Sequence, residues 1–165
     1  MPEIEVKKDY DELLQLVSFN LDEEEFGVDI LKVREINKMM QITKVPKSPH
    51  YVEGVINLRG RIIPVIDLRT KIGMVKKEYG NNTRIIVVEV MDKTIGFIVD
   101  KVSEVLRIPS NITEAPPELV TGINSEFIKS VAKIEDRLLI LIDLEKTLTG
   151  SETSEVNLIN NNQRG

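Results

Sequence analysis

The feature that most restricts what this chain can fold into is an internal duplication. Displaced by 76 positions, residues 55–72 (VINLRGRIIPVIDLRTKI) lie over residues 131–148 (VAKIEDRLLILIDLEKTL). Identities fall at Val55/Val131, Arg61/Arg137, Ile66/Ile142, Asp67/Asp143 and Leu68/Leu144, and nearly every other apolar position stays apolar. Displaced by 69, residues 26–36 (FGVDILKVREI) lie over residues 95–105 (IGFIVDKVSEV), with identities at Gly27/Gly96, Lys32/Lys101, Val33/Val102 and Glu35/Glu104. The same displacement sets Leu16–Leu21 over Ile85–Val90, and Val45-Pro46 has a looser echo in Ile108-Pro109. The order of elements is therefore the same in both halves. A half of roughly 65–70 residues lies near the lower size limit for independent stability, which favours two lobes sharing a core.

The repeated material is strand-forming. Short runs rich in Val and Ile span 14–21, 26–28, 55–58, 61–68, 84–91, 94–99, 102–108, 127–134 and 137–144, and β-branched residues at this density favour strands. Asp22-Glu23-Glu24, Arg59-Gly60, Asp92-Lys93 and Glu135-Asp136 read as turns between them, so many connections should be hairpins. Two runs, Ile62-Ile63-Pro64-Val65-Ile66 and Leu138-Leu139-Ile140-Leu141-Ile142, are apolar on both faces. In a small β protein such strands belong to barrels whose outer surface also packs against something. Pro64 donates no hydrogen bond and should mark an edge or a bulge. Helix is expected only at 67–73 and 143–148, each opened by an Asp that can cap it. The class is all-β. Residues 1–149 read as one domain, with a first lobe at about 13–80, a second at about 81–149 and a loose segment at 1–12. The polar stretch 150–165 reads as a disordered tail.

Catalytic groups are scarce. There is no cysteine, so thiolate chemistry and disulfides are excluded. The single histidine, His50, lies in a turn-like Pro-Lys-Ser-Pro context and reads as a loop residue rather than a phosphoacceptor. Asp22-Glu23-Glu24-Glu25 lacks the alternating ligands and central glycine of a calcium loop and reads as a charged turn. No phosphate-binding glycine loop occurs. No cofactor, metal or catalytic residue is assigned. A net charge of −5, with four Phe, three Tyr and no Trp, argues against nucleic acid as a partner. No apolar stretch approaches the roughly 20 residues of a membrane-spanning helix, so direct membrane insertion is not expected.

Binding is the function class that remains, and Gly54–Leu68 (GVINLRGRIIPVIDL) is its most informative segment. Gly60 suits a tight turn, but the second repeat has Glu135-Asp136 where the first has Arg59-Gly60, so the hairpin does not require Arg59. An arginine beside apolar strands makes a good interface anchor.

These residues carry a resemblance. Phe26–Ile36, Gly54–Leu68, Gly96–Leu106 and Arg137–Lys146 are together similar to the CheW family of chemotaxis coupling proteins, over nearly all of 13–148. The resemblance implies two SH3-like five-stranded barrels facing each other across an apolar interface, and no enzymatic activity. It implies an adaptor that links methyl-accepting chemotaxis receptors, through their cytoplasmic tips, to the regulatory domain of the histidine kinase CheA. It places such a protein in the cytoplasm, recruited to membrane-associated receptor arrays. The family's receptor-contact region matches Val33, Glu35 and Arg59, with Ile30 and Gly60 beside them; no residues are assigned to the kinase. Two other readings are a small-ligand or nucleic-acid-binding barrel, against which net charge and low aromatic content weigh, and a metal enzyme on an acidic cluster, against which the turn-like pattern of the clusters weighs.

Overall fold

In a computed structural model of the chain, the described residues are 13–116, 127–148, 152 and 156. The apolar runs become β1 (Leu13–Leu21), β2 (Glu24–Asp29), β3 (Val33–Lys38), β4 (Val52–Leu58), β5 (Arg61–Asp67), β6 (Arg84–Val90), β7 (Lys93–Val99), β8 (Lys101–Pro109), β9 (Thr113–Glu114), β10 (Ile128–Ile134) and β11 (Arg137–Ile142). The helices are short: α1 (Leu68–Lys71) and 3-10 turns at Ile30–Lys32, Ser110–Ile112 and Leu144–Thr147. Both expected caps form. The Asp67 carboxylate accepts from the Thr70 N–H, and that of Asp143 from the Glu145 N–H. Tight turns join β1 to β2, β4 to β5, β6 to β7 and β10 to β11.

The strands form two sheets, in the orders β8-β1-β2-β11-β10-β9 and β3-β6-β7-β5-β4. Under the sequence repeat, β1, β2, β3, β4 and β5 correspond to β6, β7, β8, β10 and β11. Each sheet therefore takes the first two strands of one repeat and the last three of the other, in the same order. The two-residue β9, which pairs with β10, has its counterpart in the other sheet as a single bridge from Thr43 to Val55 of β4. Strands are thus not dealt out by sequence half, as the division near residue 80 would have it: β1 and β2 join the second half's strands, and β6 and β7 join the first's. The crossings explain why. Only Asp100 separates β7 from β8, and a 3-10 turn separates β2 from β3. Neither is a reversing two-residue hairpin, so the chain runs on into the other sheet.

Burial follows the pleat. In β6, Ile85 and Val87 point into the five-stranded barrel with Ile56, Ile63, Val65 and Ile98. The alternate residues Ile86, Val88 and Val90 enter a second, larger core that also holds Val17, Phe19, Phe26 and Val28 from the opposite sheet. In β11, Leu139 and Leu141 fill the other barrel, and Ile142 joins the shared core. The runs that are apolar on both faces are thus barrel walls with a packed exterior. Phe19 and Phe26 stack there, ring centroids 5.6 Å apart.

Two local features differ from expectation. Pro64 lies in β5, which is inside its sheet and not at the edge. The parallel β5–β7 ladder begins at Val65, one residue later, so the missing N–H falls outside that ladder. At the carboxyl end, Glu152 and Val156 are helical. Val156 is fully buried in the shared core, and Glu152 pairs with Lys71 at 3.1 Å. An apolar side chain with a core to enter offsets its ordering entropy, so the disordered tail does not extend to these two positions. The rest of 150–165, like 1–12, lies outside the described residues.

At one junction a buried arginine joins the barrels. The buried Arg69 guanidinium donates from Nη1 to Asp100 Oδ2 (2.8 Å), from Nη2 to Asp22 Oδ2 (3.1 Å) and from Nε to the Val75 carbonyl (2.9 Å). The Asp22 N–H also donates to Asp100 Oδ2, at 2.7 Å. Asp22 belongs to the β1–β2 turn, Asp100 to the β7–β8 crossing and Arg69 to α1, so this latch ties the two sheets together.

Candidate functional site

The β4–β5 turn consists of Arg59 and Gly60, at φ 52° and 86°. Two successive positive φ values suit the twist of a two-residue hairpin. Glycine takes such a value freely, whereas arginine pays steric energy there. The Gly60 N–H donates to Asn57 Oδ1 at 2.8 Å, which holds the turn. Gly54 is fixed more tightly still: at φ 149° a Cβ there would lie 2.2 Å from the Thr43 carbonyl oxygen.

Glu35 stands on β3, at the opposite end of the sheet order from β4, yet Arg59 Nη2 donates to Glu35 Oε2. Contact between the two ends means that the sheet curls toward closure. The Arg59 side chain remains 71% exposed and that of Glu35 27%. The hydrogen bond from Arg59 holds the Glu35 carboxyl below its usual range, with Arg34 adding a smaller effect; the same bond raises Arg59 further. The other barrel has a counterpart: Glu104 on β8, the repeat equivalent of Glu35, accepts from Arg137 Nη2 at 3.2 Å. Arg137 is the first residue of β11, however, whereas Arg59 is lifted into the turn. An arginine has five N–H donors in a planar fork, so Arg59 keeps donors free for a carboxylate on another molecule.

Val33 opens β3 two residues before Glu35 and is half-buried against the shared core. The β3–β6 register shifts between Val33 and Glu35, at Arg34, which turns outward to pair with Glu89. Glu35, Arg59 and Gly60 are thus brought together, with Val33 next along the strand. Ile30 is placed differently. It lies in the 3-10 turn and lines a cleft of about 410 Å³, whose walls include Leu14, Gly27, Leu31 and Leu141. Sequence reading missed this cleft, because its lining comes from five separate segments. It also missed the Arg69 latch. Leu31, an apolar residue exposed in a turn, was the one available signal for the cleft.

No helix among the described residues is long and apolar enough to cross a membrane. The chain matches the CheW-like domain family over residues 15–152. It is 37% identical over 142 residues to the chemotaxis protein CheW of Klebsiella aerogenes, covering 86% of each chain. It is 38% identical over 137 residues to that of Thermotoga maritima, covering 81% of this chain and 87% of the relative. Among solved structures it is similar to the scaffolding protein TtCheW of Thermoanaerobacter tengcongensis, with TM-score 0.76 and 42% identity over 84% of this chain and 90% of that one. With the duplicated barrels and shared core already in place, these likenesses lead to one conclusion: the chain belongs to the CheW family of chemotaxis proteins.

Proposed function

We infer that this protein is a non-catalytic adaptor of the cytoplasm that couples methyl-accepting chemotaxis receptors to the histidine kinase CheA within receptor arrays. The reading rests on family membership and, for the site, on one observation: Arg59 is held by Glu35 in an exposed turn whose repeat equivalent carries no arginine. A surface that offers a guanidinium fork, a neighbouring carboxylate and the apolar edge of Val33 suits the side of a receptor's helical hairpin, with an apolar stripe flanked by charges. Ile30, three residues before Val33 and at the wall of the apolar cleft, belongs with this receptor-facing set, as the family resemblance implies. The regulatory domain of CheA is taken up on a separate surface, to which no residues are assigned.

Titration with receptor cytoplasmic fragments tests the assignment. Arg59→Ala should weaken binding about tenfold, as loss of a central arginine anchor does, while leaving kinase binding unchanged. Ile30→Asp should likewise weaken receptor binding and spare the kinase. Unaltered receptor affinity in Arg59→Ala would remove that residue from the site.

A further inference from the structure

Behind the Arg59 turn the two repeats differ once more. Asn37 lies two residues after Glu35 on β3, so the two side chains share a face of the strand. Across the β3–β6 ladder Glu35 stands opposite Val87 and Asn37 opposite Ile85, and both of those residues point into the five-stranded barrel. Displaced by 69, Asn37 becomes Leu106. Leu106 stands opposite Leu16, the repeat equivalent of Ile85, and packs against the core of the other barrel. The position accepts an apolar side chain, so the fold alone does not call for an amide there.

The amide is also incompletely used. Asn37 Nδ2 is shut off from solvent and makes no hydrogen bond of full geometry among the described residues. A buried donor left unpaired is destabilising, and such a group in a native structure asks for a reason. Glu35 supplies one. Arg59 Nη2 donates to Glu35 Oε2 and is the main cause of the lowered Glu35 pKa; the Asn37 amide is close enough to lower it further, to a smaller degree. A carboxylate has two oxygens and about four acceptor sites, so Glu35 can serve both donors or pass from one to the other.

We propose that Asn37 is a positioning residue for the receptor-facing site, the second partner to which the Glu35 carboxylate turns when Arg59 engages a carboxylate on the docked receptor. The inference rests on the receptor reading given above. In the free protein the Arg59–Glu35 pair presets the guanidinium fork in its exposed turn and leaves the amide short of a partner. On docking, an acidic side chain of the receptor draws the fork outward. A half-buried Glu35 charge without a partner would be costly; the Asn37 amide completes its hydrogen bonding instead. Two unmet demands are thus satisfied in one step, and Asn37 adds to affinity without touching the receptor. The second barrel has the pair Glu104–Arg137 with Leu106 behind it, so that pair lacks the exchange.

Side-chain amide NMR tests this. In the free parent chain the Asn37 amide protons should mark a weakly bonded group. Arg59→Ala releases Glu35, so these protons should move downfield with no receptor present. Receptor cytoplasmic fragments added to the parent chain should move them the same way. Asn37→Leu introduces the residue that the other repeat carries. Its unfolding midpoint should equal or exceed the parent's, and its Glu35 carboxyl should titrate higher. Its receptor binding should weaken about fivefold, as loss of one net hydrogen bond does, with kinase binding unchanged. Asn37 amide protons that stay in place in Arg59→Ala would overturn the proposal, as would unaltered Glu35 titration or unaltered receptor affinity in Asn37→Leu. The Arg59→Ala measurement needs no partner, so its failure strikes the role of Asn37 alone. A parent chain that binds no receptor fragment would instead strike the receptor reading, and the exchange with it.

Discussion

Replacing Phe97 with alanine tests whether the two barrels are one cooperative unit. Phe97 lies on β7, is fully buried, and belongs to the core that both sheets share. Removing a buried phenyl group costs about 3–5 kcal/mol, from lost transfer energy and the cavity left behind. Against a typical total of 5–15 kcal/mol, that is a large fraction. At roughly 2–4 °C per kcal/mol for a chain of this size, the midpoint of thermal unfolding should fall by about 6–20 °C. The location of the loss is the sharper point. β7 pairs within the five-stranded sheet, but its outward face meets Phe19 and Phe26 of the other, and the strands of each repeat are divided between both. Amide exchange should therefore accelerate together at Ile85, inside one barrel, and at Leu139, inside the other. Circular dichroism should show a single transition. Two resolved transitions, or lost protection at Ile85 with Leu139 unaffected, would refute the interlocked account.

Other perturbations address single features. Gly54→Ala forces a Cβ toward the Thr43 carbonyl at φ 149° and should cost roughly 2 kcal/mol or more in urea unfolding; a neutral result would contradict that close approach. Val156→Ala should cost about 1–3 kcal/mol if this side chain completes the shared core, and no change would detach it. Asp22 is held below its ordinary value of 3.8, first by the hydrogen bond from Arg69. A depressed carboxylate adds stability that is fully present above its unfolded value and is lost as pH falls through the folded one. The stability difference between the parent chain and Asp22→Asn should therefore shrink below pH 3.8; a difference constant down to about pH 2 would remove the latch from the account.

Much of this architecture was legible in the residues. The matched blocks foretold matched barrels, and Leu138–Ile142, apolar on both faces, foretold a wall with a packed exterior, because side-chain alternation in a strand is strict. Asp67 and Asp143 were readable as caps for the same reason in both repeats. Which strand pairs with which was not readable. Periodicity reports the faces of a strand and carries no information on its neighbours, so the exchange at Asp100 and at Ile30–Lys32 was hidden. Val156 was hidden in a different way: a stretch dominated by Ser, Asn, Gly and charged residues, with few large apolar groups, carries little compositional weight, and the burial of Val156 depends on a core built by distant segments. For the site, the break in the repeat at Arg59-Gly60 pointed to the turn, but the pairing of Arg59 with Glu35 needs a sheet whose ends meet. The cleft beside Ile30 needs five segments at once.

The central claim is that one scaffold holds two different partners simultaneously through separate surfaces. Co-sedimentation of the chain with receptor cytoplasmic fragments and CheA measures this directly. The account predicts a ternary complex in which Arg59→Ala and Ile30→Asp each release the receptor and retain the kinase. Binding of either partner only at the expense of the other, or no complex at all, would contradict it.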